Sequence, residues 1–125
     1  MKWNLLLLFM IVILGCKHAQ SERTISFWGS FFRKGDILQL SINGKEVRKM
    51  NIRKDYLFTI AKEKKLYDYH YVGNTTRINI SINQNDTTFY IDNKTIKTII
   101  IGRNIYGTIM IDYEFTNGTR TFTIE

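Results

Sequence analysis

From Thr24 to the C-terminus, apolar residues recur with a period of two, and few folds can use that pattern. Ile78, Ile80 and Ile82 alternate with Asn79, Ser81 and Asn83, while Ile109, Ile111, Tyr113 and Phe115 alternate with Met110, Asp112 and Glu114. Successive strand side chains point to opposite faces, so each such stretch is a half-buried strand. The segments are rich in β-branched and aromatic residues and are punctuated every eight to twelve positions by Asn, Asp and Gly. No segment carries a helical period. Strands are expected over 24–32, 36–42, 45–50, 56–61, 66–72, 77–83, 87–91, 95–101, 105–115 and 119–124. About eight to ten short strands with two-sided alternation predict an all-β domain over 24–125, an antiparallel β-sandwich of Ig-like or jelly-roll-like kind.

Turn chemistry sets the expected register. Asn43-Gly44 suits a type I′ hairpin that pairs Ile42 with Lys45 and Leu40 with Val47. Gln84-Asn85-Asp86 forms the next turn. Asn117-Gly118 as a second I′ turn would pair Tyr113 with Phe122 and Ile111 with Ile124, placing Asp112 and Glu114 opposite Thr123 and Thr121. In 24–32, Ile25, Phe27, Gly29 and Phe31 share the core face, leaving Trp28 and Phe32 as an outward aromatic pair that something covers or that binds something. In 66–72, Tyr67, Tyr69 and Tyr71 alternate with Leu66, Asp68, His70 and Val72.

The N-terminus has a different character. Lys2 precedes an unbroken apolar run from Leu5 to Leu14, the charged and apolar regions of an export signal. Such a run is too short to cross a bilayer, which takes about 20 residues. Its end, Ile13-Leu14-Gly15-Cys16, resembles the lipobox of bacterial lipoproteins: an aliphatic residue at minus three, a small one at minus one, then the cysteine. Leu14 departs from the pattern, since a small residue is commoner at minus two. The resemblance covers about sixteen residues and implies processing only. On that resemblance residues 1–15 would be a signal peptide that is removed, and Cys16 would carry fatty chains such as palmitate on its sulfur and amino group. Two or three chains, at about 0.8 kcal/mol per buried methylene, hold a protein stably on a membrane. Residues 16–23 are then the lipidated cysteine and a polar tether. Its seven residues after Cys16 span about 25 Å at most. Lys17 is not the aspartate that retains some lipoproteins at the inner membrane, and no acidic run of the kind used for surface export follows. The outer membrane's periplasmic leaflet is therefore favoured over the inner membrane or cell surface.

Cleavage would leave about 110 residues, enough for one core. Cys16 is the only cysteine, so no thiol remains for a disulfide or a nucleophile. The net charge of +7 is concentrated in 45–65, where Lys45, Arg48, Lys49, Arg53, Lys54, Lys62, Lys64 and Lys65 stand against Glu46, Asp55 and Glu63. Export separates this basic surface from nucleic acid. It would meet anionic lipids, glycans or envelope proteins, or it simply guards an edge strand with lysines.

Reactive groups are few. His18 lies in the tether, and Asp68 with His70 makes at most half a metal site. Asp112 and Glu114, roughly 7 Å apart along one strand face, are the only carboxylate pair suited to an envelope hydrolase. No phosphate loop, serine elbow or zinc spacing is present. The expectation is no catalytic residue, no metal and no cofactor. Tyr67, Tyr69 and Tyr71, joined by Trp28 if it shares their face, form an aromatic row that either stacks on sugar rings, as in a carbohydrate-binding module, or packs inward. Asn74, Asn79, Asn85, Asn93 and Asn117 open Asn-x-Ser/Thr triplets, which keep a secreted glycoprotein in view, although turn chemistry accounts for them. Asp86-Thr87-Thr88 resembles an O-glycosylation motif of exported proteins. The reading is a membrane-anchored lipoprotein of the cell envelope acting as a non-catalytic binding or assembly module.

Overall fold

The computed structural model of the chain describes residues 23–55, 64–104 and 106–124, the last four of these through their backbone. The signal segment, Cys16, the strand expected over 56–61 and Lys62 lie outside the described residues. Nine strands are present among those described: β1 (Thr24–Gly29), β2 (Ile37–Ile42), β3 (Lys45–Asn51), β4 (Lys64–His70), β5 (Thr75–Ile82), β6 (Asn85–Asp92), β7 (Ile96–Arg103), β8 (Ile109–Phe115) and β9 (Arg120–Ile124). They form a five-stranded sheet, β4-β1-β7-β8-β9, and a four-stranded sheet, β3-β2-β5-β6. The expected β-sandwich is present. It is not wholly antiparallel, because β1 pairs with β7 in parallel. After β1 the chain leaves for the other sheet, and it returns running the same way, as a parallel pair requires.

The alternating residues meet between the sheets. Leu38, Leu40, Ile78, Ile80 and Ile82 of one sheet and Ile25, Phe27, Ile99, Ile101 and Ile111 of the other are fully buried in one cluster. Phe89 and Tyr113 close it edge to face, their ring centroids 6.0 Å apart.

Several expected registers shift by one residue, each for a local reason. Asn43 and Gly44 adopt the positive φ of the I′ turn, 51° and 82°. Ile42 pairs with Lys45 and Ser41 with Glu46, but a bulge then sets Leu40 against Arg48 rather than Val47. Val47, the inserted residue, still packs on the core. At Asn117-Gly118 only Gly118 has positive φ, 89°, and Phe115 N–H donates to Thr119 O. The loop is three residues with a glycine bulge, not a I′ turn. It pairs Tyr113 with Thr121, Ile111 with Thr123, Asp112 with Phe122 and Glu114 with Arg120. Asn83, with φ 58°, closes a two-residue turn in which Ile82 pairs with Asn85. Asn85 and Asp86 therefore belong to β6 rather than to the turn. Similarly, β8 begins only at Ile109, since Asn104 Oδ1 accepts from Tyr106 N–H at 2.9 Å and Thr108 N–H at 3.0 Å and ties both residues back to the end of β7.

The first crossover corrects a further expectation. β1 stops at Gly29, and Phe31 takes φ 57°, so the facing order inverts. Phe32 is fully buried in the core and Phe31 only half-buried. Gly29 makes room, since a Cβ there would lie 2.2 Å from the Phe32 ring.

Asp36 ends that crossover and latches the two sheets together. It is 3% exposed, and its two oxygens accept from Arg103 Nε and Nη2 of β7, each at 2.7 Å. Arg33 N–H and Asn83 Nδ2 complete its shell at 2.9 and 3.2 Å. Burial pushes the Asp36 carboxyl up, but these hydrogen bonds and the guanidinium's charge outweigh it and hold the group below its ordinary 3.8. A lowered folded value stabilises the fold above about pH 3.8 and loses that contribution as pH falls through it. Asp36→Asn leaves Arg103 uncompensated, so urea unfolding at pH 7 should lose about 3 kcal/mol and the acid limb of the stability profile should flatten. Equal stability at pH 7 with an unchanged acid limb would show that the latch carries no weight.

Candidate functional site

The four aromatic residues singled out from the sequence are not brought together. Phe27 pairs with Tyr67 and Ile25 with Tyr69, which turns Tyr67, Tyr69 and Tyr71 toward the core, where all three pack half-buried. Tyr69 OH accepts from Asn43 Nδ2 at 3.3 Å, tying β4 to the β2–β3 turn. A bulge between Phe27 and Trp28 brings Leu66 inward too, against its expected phase. Trp28 lies on the opposite face of the same sheet, in register with Lys65. The Lys65 ammonium lies 5.9 Å from the indole centroid and 2.6 Å from Asp68. That hydrogen-bonded ammonium, with help from Ser26 and His70, outweighs the opposing effect of burial and holds the Asp68 carboxyl below its usual range.

The described cations of the basic stretch 45–65 form a band along one side of the sandwich. Lys45, Arg48 and Lys49 lie on edge strand β3, Arg53 and Lys54 follow it, and Lys64 and Lys65 open β4, which runs beside β3. The carboxylates considered for hydrolysis are both in ion pairs. Asp112, 7% exposed, accepts from Arg120, and Glu114 lies 3.7 Å from Lys97. His70 Nδ1 lies 3.0 Å from Thr24 Oγ1. Among the described residues no three His, Cys, Asp or Glu side chains converge as metal ligands. Of the Asn-x-Ser/Thr asparagines, Asn93 is buried, accepting from Thr76 Oγ1 at 2.6 Å and donating to Gly73 O at 3.3 Å.

The outer face of the four-stranded sheet holds an arrangement that sequence reasoning missed. The two-residue turn at Asn83 places Arg77 directly beside Tyr90 and Asn79 beside Thr88. With Ser41 and Gly44 they line an open groove of about 400 Å³. Tyr90 is 68% exposed. Arg77 extends over Gly44, where a Cβ would come within 2.9 Å of Nη2. Among the described residues its guanidinium has no hydrogen-bond or ion-pair partner. Asn79 is held rigidly, its Nδ2 donating to Asp86 Oδ1 and Thr88 Oγ1, both at 2.8 Å, and to Thr87 O at 3.2 Å. Those bonds engage the amide nitrogen alone and leave the carbonyl oxygen as an acceptor. A second groove, about 570 Å³, continues from Asp86 and Thr87 to Tyr106 and Gly107 of the β7–β8 turn. Tyr106 is 85% exposed, and Asn85 Nδ2 anchors its turn through Gly107 O at 2.6 Å.

No family model, no curated protein and no solved structure matches the chain.

The two sets of tyrosines therefore differ in kind, and mutation separates them. Tyr69→Ala removes a ring packed on the core and should destabilise by about 3 kcal/mol, whereas Tyr90→Ala should stay within about 0.5 kcal/mol of the parent. Thermal and urea melts check both. Equal losses would mean that Tyr90 packs structurally.

Proposed function

We propose that the chain is an exported lipoprotein, anchored through acyl chains on Cys16, whose β-sandwich works at the cell envelope as a non-catalytic binding or assembly module. The Ile13-Leu14-Gly15-Cys16 sequence motivates the anchor. The observation that carries the reading is where the fold takes up the chain. β1 begins at Thr24, and Arg23 O already accepts from Tyr71 N–H at 3.1 Å. Only Lys17 to Glu22 then separates Cys16 from the sandwich, which keeps one end of it close to the bilayer.

That end carries the Asn43-Gly44 turn, tied to Tyr69, and the start of β1. Arg53, Lys54, Lys64 and Lys65 belong to the other end, since Lys64 pairs with Gly29 at the finish of β1. A sandwich standing on its tether holds these cations away from the headgroups, which favours envelope glycans or proteins as partners over anionic lipid. Carboxylates held in ion pairs suit binding better than hydrolysis. Delivery to the periplasmic leaflet of the outer membrane completes the reading, on the strength of Lys17 and the missing acidic run.

Metabolic labelling with an alkyne-bearing palmitate tests the anchor. The parent should take up label and yield a mature N-terminus at Cys16, and Cys16→Ser should take up none and accumulate with residues 1–15 attached. An unlabelled parent, or one cleaved at another position, overturns the proposal.

A further inference from the structure

We propose that the outer face of the four-stranded sheet binds an acidic oligosaccharide, with Arg77 and Tyr90 as its principal contacts. The inference deepens the binding-module reading by naming a site and a ligand class, and it does not depend on the lipid anchor. The chemistry follows from three groups. Tyr90 offers a rigid, largely exposed ring at little entropic cost, an apolar face on which the C–H side of a pyranose stacks. Beside it, in direct register, Arg77 presents an unpartnered planar fork that matches a carboxylate in two-point geometry. Asn79, already fixed through its nitrogen, offers an oriented carbonyl oxygen to a sugar hydroxyl, and the hydroxyls of Ser41 and Thr88 border the same space. Preorganised polar groups around an exposed aromatic ring are what a polyhydroxylated ligand requires and an apolar ligand does not.

The extent of the face argues for a chain rather than one sugar. Thr88 and Tyr90 line the first groove and Asp86 and Thr87 the second. The second groove opens next along β6, where Asp86 and Thr87 precede Thr88, and rounds the edge of the sheet to Tyr106 in the β7–β8 turn. Only the Arg77 end is cationic. Toward Asp86 the face accepts hydrogen bonds, which suits neutral hydroxyls. The matching ligand alternates an acidic sugar with a neutral one.

Affinity electrophoresis of the full chain in mild non-ionic detergent tests this, with gels containing hyaluronate (alternating uronate and N-acetyl sugar), neutral dextran or polyglutamate. Hyaluronate should retard the parent, and dextran should not. Arg77→Ala and Tyr90→Ala should each weaken the apparent affinity roughly tenfold, Tyr90→Phe should retain it, and Lys97→Ala, on β7 of the other sheet, should leave it unchanged. Tyr90→Ala carries the decision because it alters no charge. Equal retardation by hyaluronate with and without the Tyr90 ring would assign binding to the basic band as a general polyanion effect and overturn the proposal. So would the absence of hyaluronate binding, or equal retardation by dextran. Since no arm reads acylation, a negative result leaves the labelling experiment on Cys16 to stand or fall separately.

Discussion

Ile25, Phe27, Leu38, Leu40, Ile78, Ile80, Ile82, Ile99, Ile101 and Ile111 fill one layer between two sheets, and every other feature is subordinate to keeping that layer closed. No cysteine lies among the described residues, so no disulfide shares the task. Each strand must deliver alternate side chains to the layer, and a slip of one residue would exchange its faces. The outward residues are not bound to that layer and differ between the sheets. On the five-stranded sheet, Trp28, Ile100 and Asp112 stand in one row across β1, β7 and β8, and Ile100 and Asp112 are buried. On the four-stranded sheet the corresponding surface is polar, grooved and open.

The period of two made the sandwich legible, because Ile78, Ile80 and Ile82 can satisfy their burial in no other regular structure. Tyr67, Tyr69 and Tyr71 were legible in outline too: with Asp68 and His70 between them, one of the two sets had to face inward. Bulges were not legible. An extra residue at Val47 or Leu66 adds an apolar side chain out of phase, and nothing local distinguishes it from an outward one. At Asn117-Gly118 the dipeptide suits both a two-residue I′ loop and a three-residue loop ending in a glycine bulge, and pairing across β8 and β9 decides between them. The same ambiguity concealed the groove. With Gln84-Asn85-Asp86 taken as the turn, Arg77 and Tyr90 are not partners; with Asn83 in the left-handed region they are. The parallel contact of β1 with β7 and the Asp36–Arg103 pair join residues about seventy positions apart, beyond any local pattern.

On the proposed anchoring, the groove and the tether are disposed in a particular way. β1 starts at the tethered end and β6 finishes there, since Thr75 pairs with Asp92 and Asn93 N–H donates to Asn74 O. Tyr90 is therefore near that end, and Tyr106, in the turn that follows β7, is at the far one. A ligand lying along β6 would run away from the bilayer rather than parallel to it. The basic band occupies the opposite edge, on β3, so a ligand on β6 and a partner on β3 need not compete for surface.

The position of the Asp36–Arg103 pair explains how one topology prevails. An apolar layer rewards almost any pairing of strands that hides the same side chains, and the crossover from β1 to β2 could enter the second sheet at registers two residues apart with comparable burial. A buried carboxylate tolerates no such freedom. It needs Arg103 at the end of β7, the Arg33 amide within its own loop and Asn83 at the β5–β6 turn all at once, three elements that coincide only in the observed arrangement. Asn83 also exchanges two hydrogen bonds with Ile37, its side-chain oxygen accepting at 3.0 Å and its backbone N–H donating at 2.8 Å, so β2 is fixed in register at its first residue. Ion pairs of this kind contribute modestly to net stability, because desolvation offsets their attraction. Their larger effect here falls on the alternatives, each of which would bury a charge without its partner. In a sandwich with no disulfide among its described residues, that asymmetry converts a generic apolar layer into a single native pairing.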